Sequence, residues 1–269
     1  MGRYDEISAK ELLLLLGQQA WPRVVDVRRA ENVTDRLPAA VWHDHRQAPQ
    51  WGQALTRKDL VVVYCAHGEQ LSRSAVTLLR AEGINAVVLE GGMDAWRAAG
   101  GPVVADMAST GLSVDSPSHW VTRRRPKIDR IACPWLIHRF IDATARIHFV
   151  EASSVMAVAV EIGALPFDIP GVAFTHIGEH CTFNALMAHF RIDDPVLHRL
   201  ALIVRGADTG RLDLAPECAG LLAISLGLSA TYENDEEMLS RGFGVYDALY
   251  GWLRLATGET HGWTEPREA

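Results

Sequence analysis

No hydrophobic run in this sequence is long enough to cross a bilayer: the longest uninterrupted aliphatic stretches are Leu12–Leu16 and Val155–Val160, where about 20 apolar residues are required. Cysteine is sparse. Cys65, Cys133, Cys181 and Cys218 lie far apart and form no C-x-x-C pair, which excludes a disulfide framework and a zinc ribbon and leaves single thiols for any chemistry. A basic leader is missing too. The start, Met1 to Glu6, is acidic where a signal peptide is basic, and Glu6 stands where a myristoylation motif has Ser or Thr, so a cytoplasmic location without a membrane partner is expected. No internal repeat is present. The hydrophobic fraction of 48% and charged fraction of 22% exclude a disordered or collagen-like chain.

The 269 residues suit one large domain or two ordinary ones. Charge is unevenly spread along them. Residues 1–118 carry 12 basic and 14 acidic groups, residues 119–146 carry 7 and 2, and residues 147–269 carry 7 and 17, for net values of −2, +5 and −10. A global basic footprint for DNA is therefore not expected, although one local patch could meet an anion.

The first hundred residues alternate strand and helix patterns. Ser8-Ala-Lys-Glu11 reads as a capping box ahead of Leu12–Leu16. Arg23–Val27, Asp59–Cys65 and Ile84–Leu89 are short β-branched runs of the kind buried on both faces of a parallel sheet. Between them, Ala75, Val76, Leu78 and Leu79 form a helical stripe ended by Gly83, and Gly91-Gly92 turns into a short helix carrying Trp96. This is the pattern of an α/β fold, an open parallel sheet flanked by helices.

Cys65 ends a central strand and opens the loop Ala66-His67-Gly68-Glu69-Gln70-Leu71, which runs into a helix starting near Ser72. In such sheets, sites gather outside the carboxyl ends of strands. Loop amides and a helix N-terminus favour a thiolate and can cradle an anion delivered to it. The plainer alternative is a small apolar residue buried at a strand end.

Asp26-Val27-Arg28, Val62-Val63-Tyr64-Cys65, Leu89-Glu90-Gly91-Gly92-Met93-Asp94-Ala95-Trp96 and Gly101-Pro102-Val103 together resemble the rhodanese family over residues 1–105. The resemblance implies a rhodanese-like sheet and a Cys65 nucleophile that takes a sulfane sulfur, holds it as a persulfide and passes it on, with no cofactor. The anion cradle would be the amides from Ala66 to Leu71, with Asp26 and Arg28 as supporting polar residues and His67 orienting a donor or moving a proton. Single-domain members usually carry a basic residue where this chain has Gln70. Arg73 is the nearest replacement cation.

Residues 106–118, rich in small polar residues with Gly and Pro, read as a linker. The second domain, 119–256, looks mostly helical (α or α+β), with helices over 134–143, 153–162, 183–190, 195–204, 216–226 and 243–255 and strands at 147–150 and 172–175. A polar tail, 257–269, follows, in which Trp263 could dock. Two polar clusters stand out. The first is Arg123-Arg124-Arg125-Pro126-Lys127-Ile128-Asp129-Arg130 ahead of Cys133-Pro134. Pro134 at the first position of a helix places Cys133 at its N-cap, and Arg123, Arg125, Lys127 and Arg130 then make a candidate oxyanion pocket. A solvated basic turn and a DNA contact are the alternatives. The second cluster is His176-Ile-Gly-Glu179-His180-Cys181, a ligand set for zinc, iron or a similar divalent ion, with Asp208 and Asp235 able to complete a shell. Isolated residues of these types are more often hydrogen-bonded than metal-bound.

Trp120-Val-Thr-Arg123, Asp129-Arg-Ile-Ala-Cys-Pro-Trp-Leu-Ile137, Arg139-Phe-Ile-Asp142, Pro166-Phe-Asp168, His176 with Cys181-Thr-Phe183, Arg205-Gly-Ala-Asp208 and Tyr246-Asp-Ala-Leu-Tyr250 are similar to the C-terminal domain of the chromate-resistance ChrB family, from Ser118 to Leu255. Members accompany chromate exporters, and full-length ones are regarded as chromate-sensitive regulators of transcription with a different leading domain. Three functions are therefore weighed: a sulfurtransferase acting on thiosulfate or another small sulfane anion, a sensor of chromate or metal, and a metal-dependent enzyme of the second domain. The first is favoured. No oligomeric state is implied.

Overall fold

A computed structural model of the protein describes residues 6–113 and 116–259. Its N-terminal half contains strands β1 (Glu6–Ile7), β2 (Arg23–Asp26), β3 (Asp35–Arg36), β4 (Val41–Trp42), β5 (Val61–Tyr64), β6 (Ala86–Leu89) and β7 (Val104–Ala105). Helices α1 (Ala9–Leu14), α2 (Ala48–Trp51), α3 (Gln70–Ala81) and α4 (Gly92–Ala98) lie between them. Five strands form a parallel sheet in the order β1-β6-β5-β2-β4, and β3 and β7 pair antiparallel. Strand alternation divides the central valines between the two faces. Val62 and Tyr64 join Leu12, Met93 and Trp96 of α1 and α4, while Val61, Val63 and Cys65 join Ala75, Val76 and Leu79 of α3. The expected capping box begins α1: the Glu11 amide donates to Ser8 Oγ at 3.2 Å, and the Ser8 amide donates to Glu11 Oε2 at 2.9 Å.

The C-terminal half is a small α/β unit under a helical bundle. Strands β8 (His119–Arg123), β9 (Arg146–Val150) and β10 (Leu165–Pro166) form a parallel sheet ordered β10-β8-β9. Helices are α5 (Ile128–Leu136), α6 (Val155–Ile162), α7 (Thr182–His189), α8 (Pro195–Asp208), α9 (Cys218–Thr231) and α10 (Asp235–Leu255). Trp120 packs with α5 residues, whereas its neighbour Val121 packs with Val155 and Ala159 of α6. The two crossover helices thus cover opposite faces. The chain leaves β8 toward β9 and returns across β8 to β10, which puts a topological switch point between β8 and β10.

Several expectations are corrected. Pro134 lies inside α5 and does not begin a helix, so Cys133 is a buried mid-helix residue with no N-cap role. The helix starts six residues earlier, after Lys127, and the missing proline N–H is followed by a wider π-helical turn at Ile137–Ile141. Residues 172–175 form no strand beyond a single bridge between Phe167 and Phe174. Trp263 and the tail from residue 260 lie outside the described residues. Among the described residues, no helix is long and apolar enough to cross a membrane.

The two halves share one core. Arg36, 2% exposed, donates to Ala40 O at 2.9 Å and to Ile141 O at 2.8 Å. The Ala39 amide donates to Phe140 O and the Ala105 amide to Phe190 O, and Met107 and Leu112, in the stretch expected as a linker, are buried in the common cluster. Gly17, at φ +74°, lies under the ring of Tyr250, where a Cβ would collide with the aromatic carbons. Gly17→Ala should therefore lower unfolding stability by about 1–3 kcal/mol, from overpacking and a left-handed backbone. Chemical denaturation should show it as a shift of a single transition common to both halves. An unchanged midpoint, or separate transitions for the halves, would contradict the shared core.

Candidate functional site

The thiol loop is shaped by backbone constraints beneath it. The Met93 amide donates to Cys65 O at 3.0 Å and the Asp94 amide to Ala66 O at 3.1 Å, so the start of α4 takes the loop carbonyls. Gly68 and Gly92, both at positive φ, press against each other's backbone, and a Cβ on Gly92 would overlap Cys65 O. This close approach explains the Gly91-Gly92 pair physically. With the carbonyls turned away, the amides of Ser72, Glu69 and His67 face Sγ, and Ser72 Oγ lies 3.3 Å from it. Burial opposes ionisation of Cys65, but the Ser72 hydroxyl and these three amides outweigh it and bring the thiol below its ordinary value.

The other residues expected around Cys65 are placed differently. Asp26 and Arg28 form a buried bidentate pair, with contacts of 2.6 to 3.0 Å, that also takes the Tyr64 hydroxyl and Asp35 O. They brace strand ends and make no polar contact with the thiol. Arg73 pairs with Glu6 at the sheet edge, so it does not replace the cation absent at Gln70. His67 is exposed and its Nδ1 lies 2.7 Å from Asp94 Oδ2. Glu69 is exposed at the end of the loop and Gln70 at the first position of α3, Leu71 is half-buried in α3 against the core, and Ser72 is the partner that the sequence reading left out.

A second constellation occupies the switch point of the small sheet. Asp129, in the first turn of α5, accepts from the Thr182 amide at the start of α7 at 2.7 Å. Asp168 follows β10 at φ +54° and accepts from Thr182 Oγ1 at 3.2 Å and from Arg123 Nη2 at 3.1 Å, with Arg130 Nε also at 3.1 Å. Asp208 closes α8. His176 Nε2 faces all three, at 3.1 Å from Asp208, 3.4 Å from Asp129 and 3.6 Å from Asp168. Burial, with the charges of Asp129 and Asp168, pushes the Asp208 carboxyl up to about 6, and burial and Asp129 also raise Asp168. The Asp129 carboxylate in turn raises His176.

Of the expected metal ligands, His176 and Asp208 meet here. Asp235 does not; it starts α10 and its carboxylate accepts the Arg125 amide at 3.1 Å. Glu179 and His180 are exposed in a tight turn closed by reciprocal Ile177 and His180 backbone hydrogen bonds. Cys181 is buried, and burial first and Asp129 second push its thiol far up. Asp129 and Asp168 were not expected as site residues, because nothing local joins positions 129, 168, 176 and 208.

The oxyanion pocket expected from the basic run is not assembled. Arg123 and Arg130 are tied to Asp168, and Arg124 to Glu151 at 2.7 Å. Arg125 caps α9 through the carbonyls of Ser229, Tyr232 and Glu233. Lys127 is exposed. A strand end, a turn and a helix start send neighbouring cations in different directions.

Residues 8–99 match the rhodanese-like domain family and residues 120–253 the family described as ChrB, C-terminal domain. The chain carries a rhodanese-like domain followed by a ChrB C-terminal domain. Over 132 residues it is 38% identical to Protein ChrB of Cupriavidus metallidurans, an alignment covering 49% of this chain and 39% of that protein. The chain thus spans about two fifths of that relative's length. A rhodanese-like domain protein from Staphylococcus aureus is 31% identical, covering 34% of this chain and 90% of the other with a TM-score of 0.32. A thiosulfate sulfurtransferase from Pseudomonas aeruginosa is 32% identical, covering 38% and 19% with a TM-score of 0.33.

Within the ChrB domain, several motif residues serve the scaffold. Asp142 accepts from Ser118 and Thr144, and Asp247 accepts from Trp135 and Arg139. Among the thiols, Cys65 alone is shifted toward the thiolate, while burial raises Cys133, Cys181 and Cys218. Because a lowered pKa leaves more thiolate at a given pH, iodoacetamide should modify Cys65 first, with a rate that levels off below the pH where an ordinary thiol would. Peptide mapping over a pH series checks this, and equal labelling of Cys218 would contradict it.

Proposed function

We propose that this protein is a rhodanese-type sulfurtransferase in which Cys65 carries the sulfur and the ChrB domain supplies the link to chromate resistance. The carrying observation is the thiol at the carboxyl end of β5, faced by the amides of His67, Glu69 and Ser72. A donor such as thiosulfate would present its outer sulfur to the Cys65 thiolate. The new S–S bond forms as the donor's S–S bond breaks, and sulfite leaves with the electron pair. An acceptor nucleophile then attacks the terminal sulfur, and the Cys65 thiolate is released. Amides oriented before the reaction favour the anion without reorganisation.

The loop departs from its family in charge. With Gln70 exposed, Arg73 held by Glu6 and His67 beside Asp94, the loop relies on backbone dipoles to attract the donor. Divalent thiosulfate should therefore be a weak donor, and a non-catalytic signalling role is the competing reading.

Intact mass after incubation with thiosulfate should rise by one sulfur atom in the wild type and not in Cys65→Ser. No gain with thiosulfate or other sulfane donors would reject the sulfurtransferase reading. Restoring a cation with Gln70→Arg should raise kcat/KM for thiosulfate about tenfold, equivalent to about 1.4 kcal/mol, whereas Arg73→Ala should leave it near the wild-type value. Steady-state kinetics with cyanide as acceptor measures both.

A further inference from the structure

We infer that the crevice between β8 and β10 is a divalent metal site in which Asp129, His176 and Asp208 are the ligands and Asp168 with its two arginines is the outer support. This is independent of the sulfur chemistry at Cys65.

The spacing of the ligand atoms carries the inference. One carboxylate oxygen from each of Asp129 and Asp208 and one imidazole nitrogen of His176 lie within 4.8 Å of one another. His176 Nε2 is 3.1 Å from Asp208 Oδ2 and 3.4 Å from Asp129 Oδ2. Ligand atoms about 2.1 Å from a common ion are separated by about 3.0 Å at octahedral angles and about 3.4 Å at tetrahedral ones. Charge-assisted hydrogen bonds would be shorter, at about 2.7–2.9 Å. A single Nε2–H also cannot serve three carboxylates at once.

An unpartnered buried atom points the same way. Asp129 is 1% exposed, yet its Oδ1 has no hydrogen-bond partner, although its Oδ2, the oxygen that faces His176, takes the Thr182 amide. A buried carboxylate oxygen left bare is expensive. Coordination to a cation, or to water held by one, removes that penalty.

Charge decides the ion class. Asp168 is met by Arg123 and Arg130, which leaves Asp129 and Asp208 to share one imidazole. A dication neutralises that pair and leaves His176 free to coordinate as a neutral ligand. One nitrogen and two oxygens, without thiolate, suit manganese, iron(II) or zinc over a soft ion. His176 and Asp208 are 39% and 21% exposed, so the outer side of the ion would face solvent and keep positions open for an exchangeable ligand.

The full-length chain, stripped with chelator, would be titrated with manganese(II) and zinc(II) by calorimetry, with manganese(II) also followed by electron paramagnetic resonance. One ion per chain is expected. Affinity should fall at least about tenfold in both His176→Ala and Asp208→Asn, and remain at the wild-type level in Glu179→Gln, His180→Ala and Cys65→Ser. Asp129→Asn should behave like the first two, and those two surface-reaching variants keep the test intact should the buried one misfold. No ion on a wild type whose circular dichroism is native would overturn the site. So would unchanged affinity in His176→Ala and Asp208→Asn, or loss of the ion in Cys65→Ser or His180→Ala.

Discussion

The guanidinium of Arg36 is the constraint on which the arrangement of the two domains depends. It is buried between them, bonded to Ala40 O in its own domain and to Ile141 O in the other, and burial pushes its pKa down to about 10. A charge in such a place is tolerated only where carbonyls surround it. Those carbonyls exist because Leu37–Ala40 and the π-helical turn at Ile137–Ile141 pack face to face, with the Ala39 amide completing the contact at Phe140 O. The rhodanese-like sheet is thereby fixed to the ChrB bundle, and Tyr250 from the last helix lies against Gly17 from the first domain. Independent motion of the two domains would expose this joint core and strand a buried cation.

Both sites follow from the same rule of parallel sheets. At β5 the chain leaves the sheet through a tight loop into α3, and the amides of that passage meet a thiol. At β8 it leaves through an equally short passage into α5 and at β10 through a longer one toward α7; Asp129 and Asp168 collect at the N-terminal ends of these two helices, and Asp208 joins them from the C-terminal end of α8. Helix dipoles favour negative charge at Cys65, Asp129 and Asp168, whereas the dipole of α8 opposes it at Asp208. In the first they act on a nucleophile, in the second on fixed anions, and there three carboxylates face two arginines and one imidazole.

What the sequence made legible was the part written in local pattern. The valine runs of β5 and β6, the Ser8 capping box, the Cys65 loop and the Gly91-Gly92 turn each carry their instructions within a few residues. The small sheet was harder to read because β8 and β10 are short and only alternate briefly, and α5 was misplaced because Pro134 normally starts or breaks a helix. Arg125, Lys127 and Arg130 looked like one patch because they are neighbours in sequence. They are separated in space by Arg125 at φ +58° and by the onset of α5, which turn successive side chains apart.

The second site was half legible for the opposite reason. His176 and Asp208 attracted notice as chemistry-bearing types, but Asp129 was submerged among arginines and Asp168 read as part of a turn. Their convergence is a product of topology: β8 is central, its two neighbours are reached over opposite faces, and the loops that follow must open a crevice between β8 and β10. Thr182 shows how tightly that crevice is drawn, since its amide is bound to Asp129 and its hydroxyl to Asp168. A single residue at the start of α7 therefore sets the distance between two carboxylates from different elements, and His176, just upstream, is carried to the remaining side. Like charges placed so closely are costly where apolar side chains could fill the same volume, and that cost is offset by Arg123, Arg130 and His176 and, in the site inferred above, by a dication.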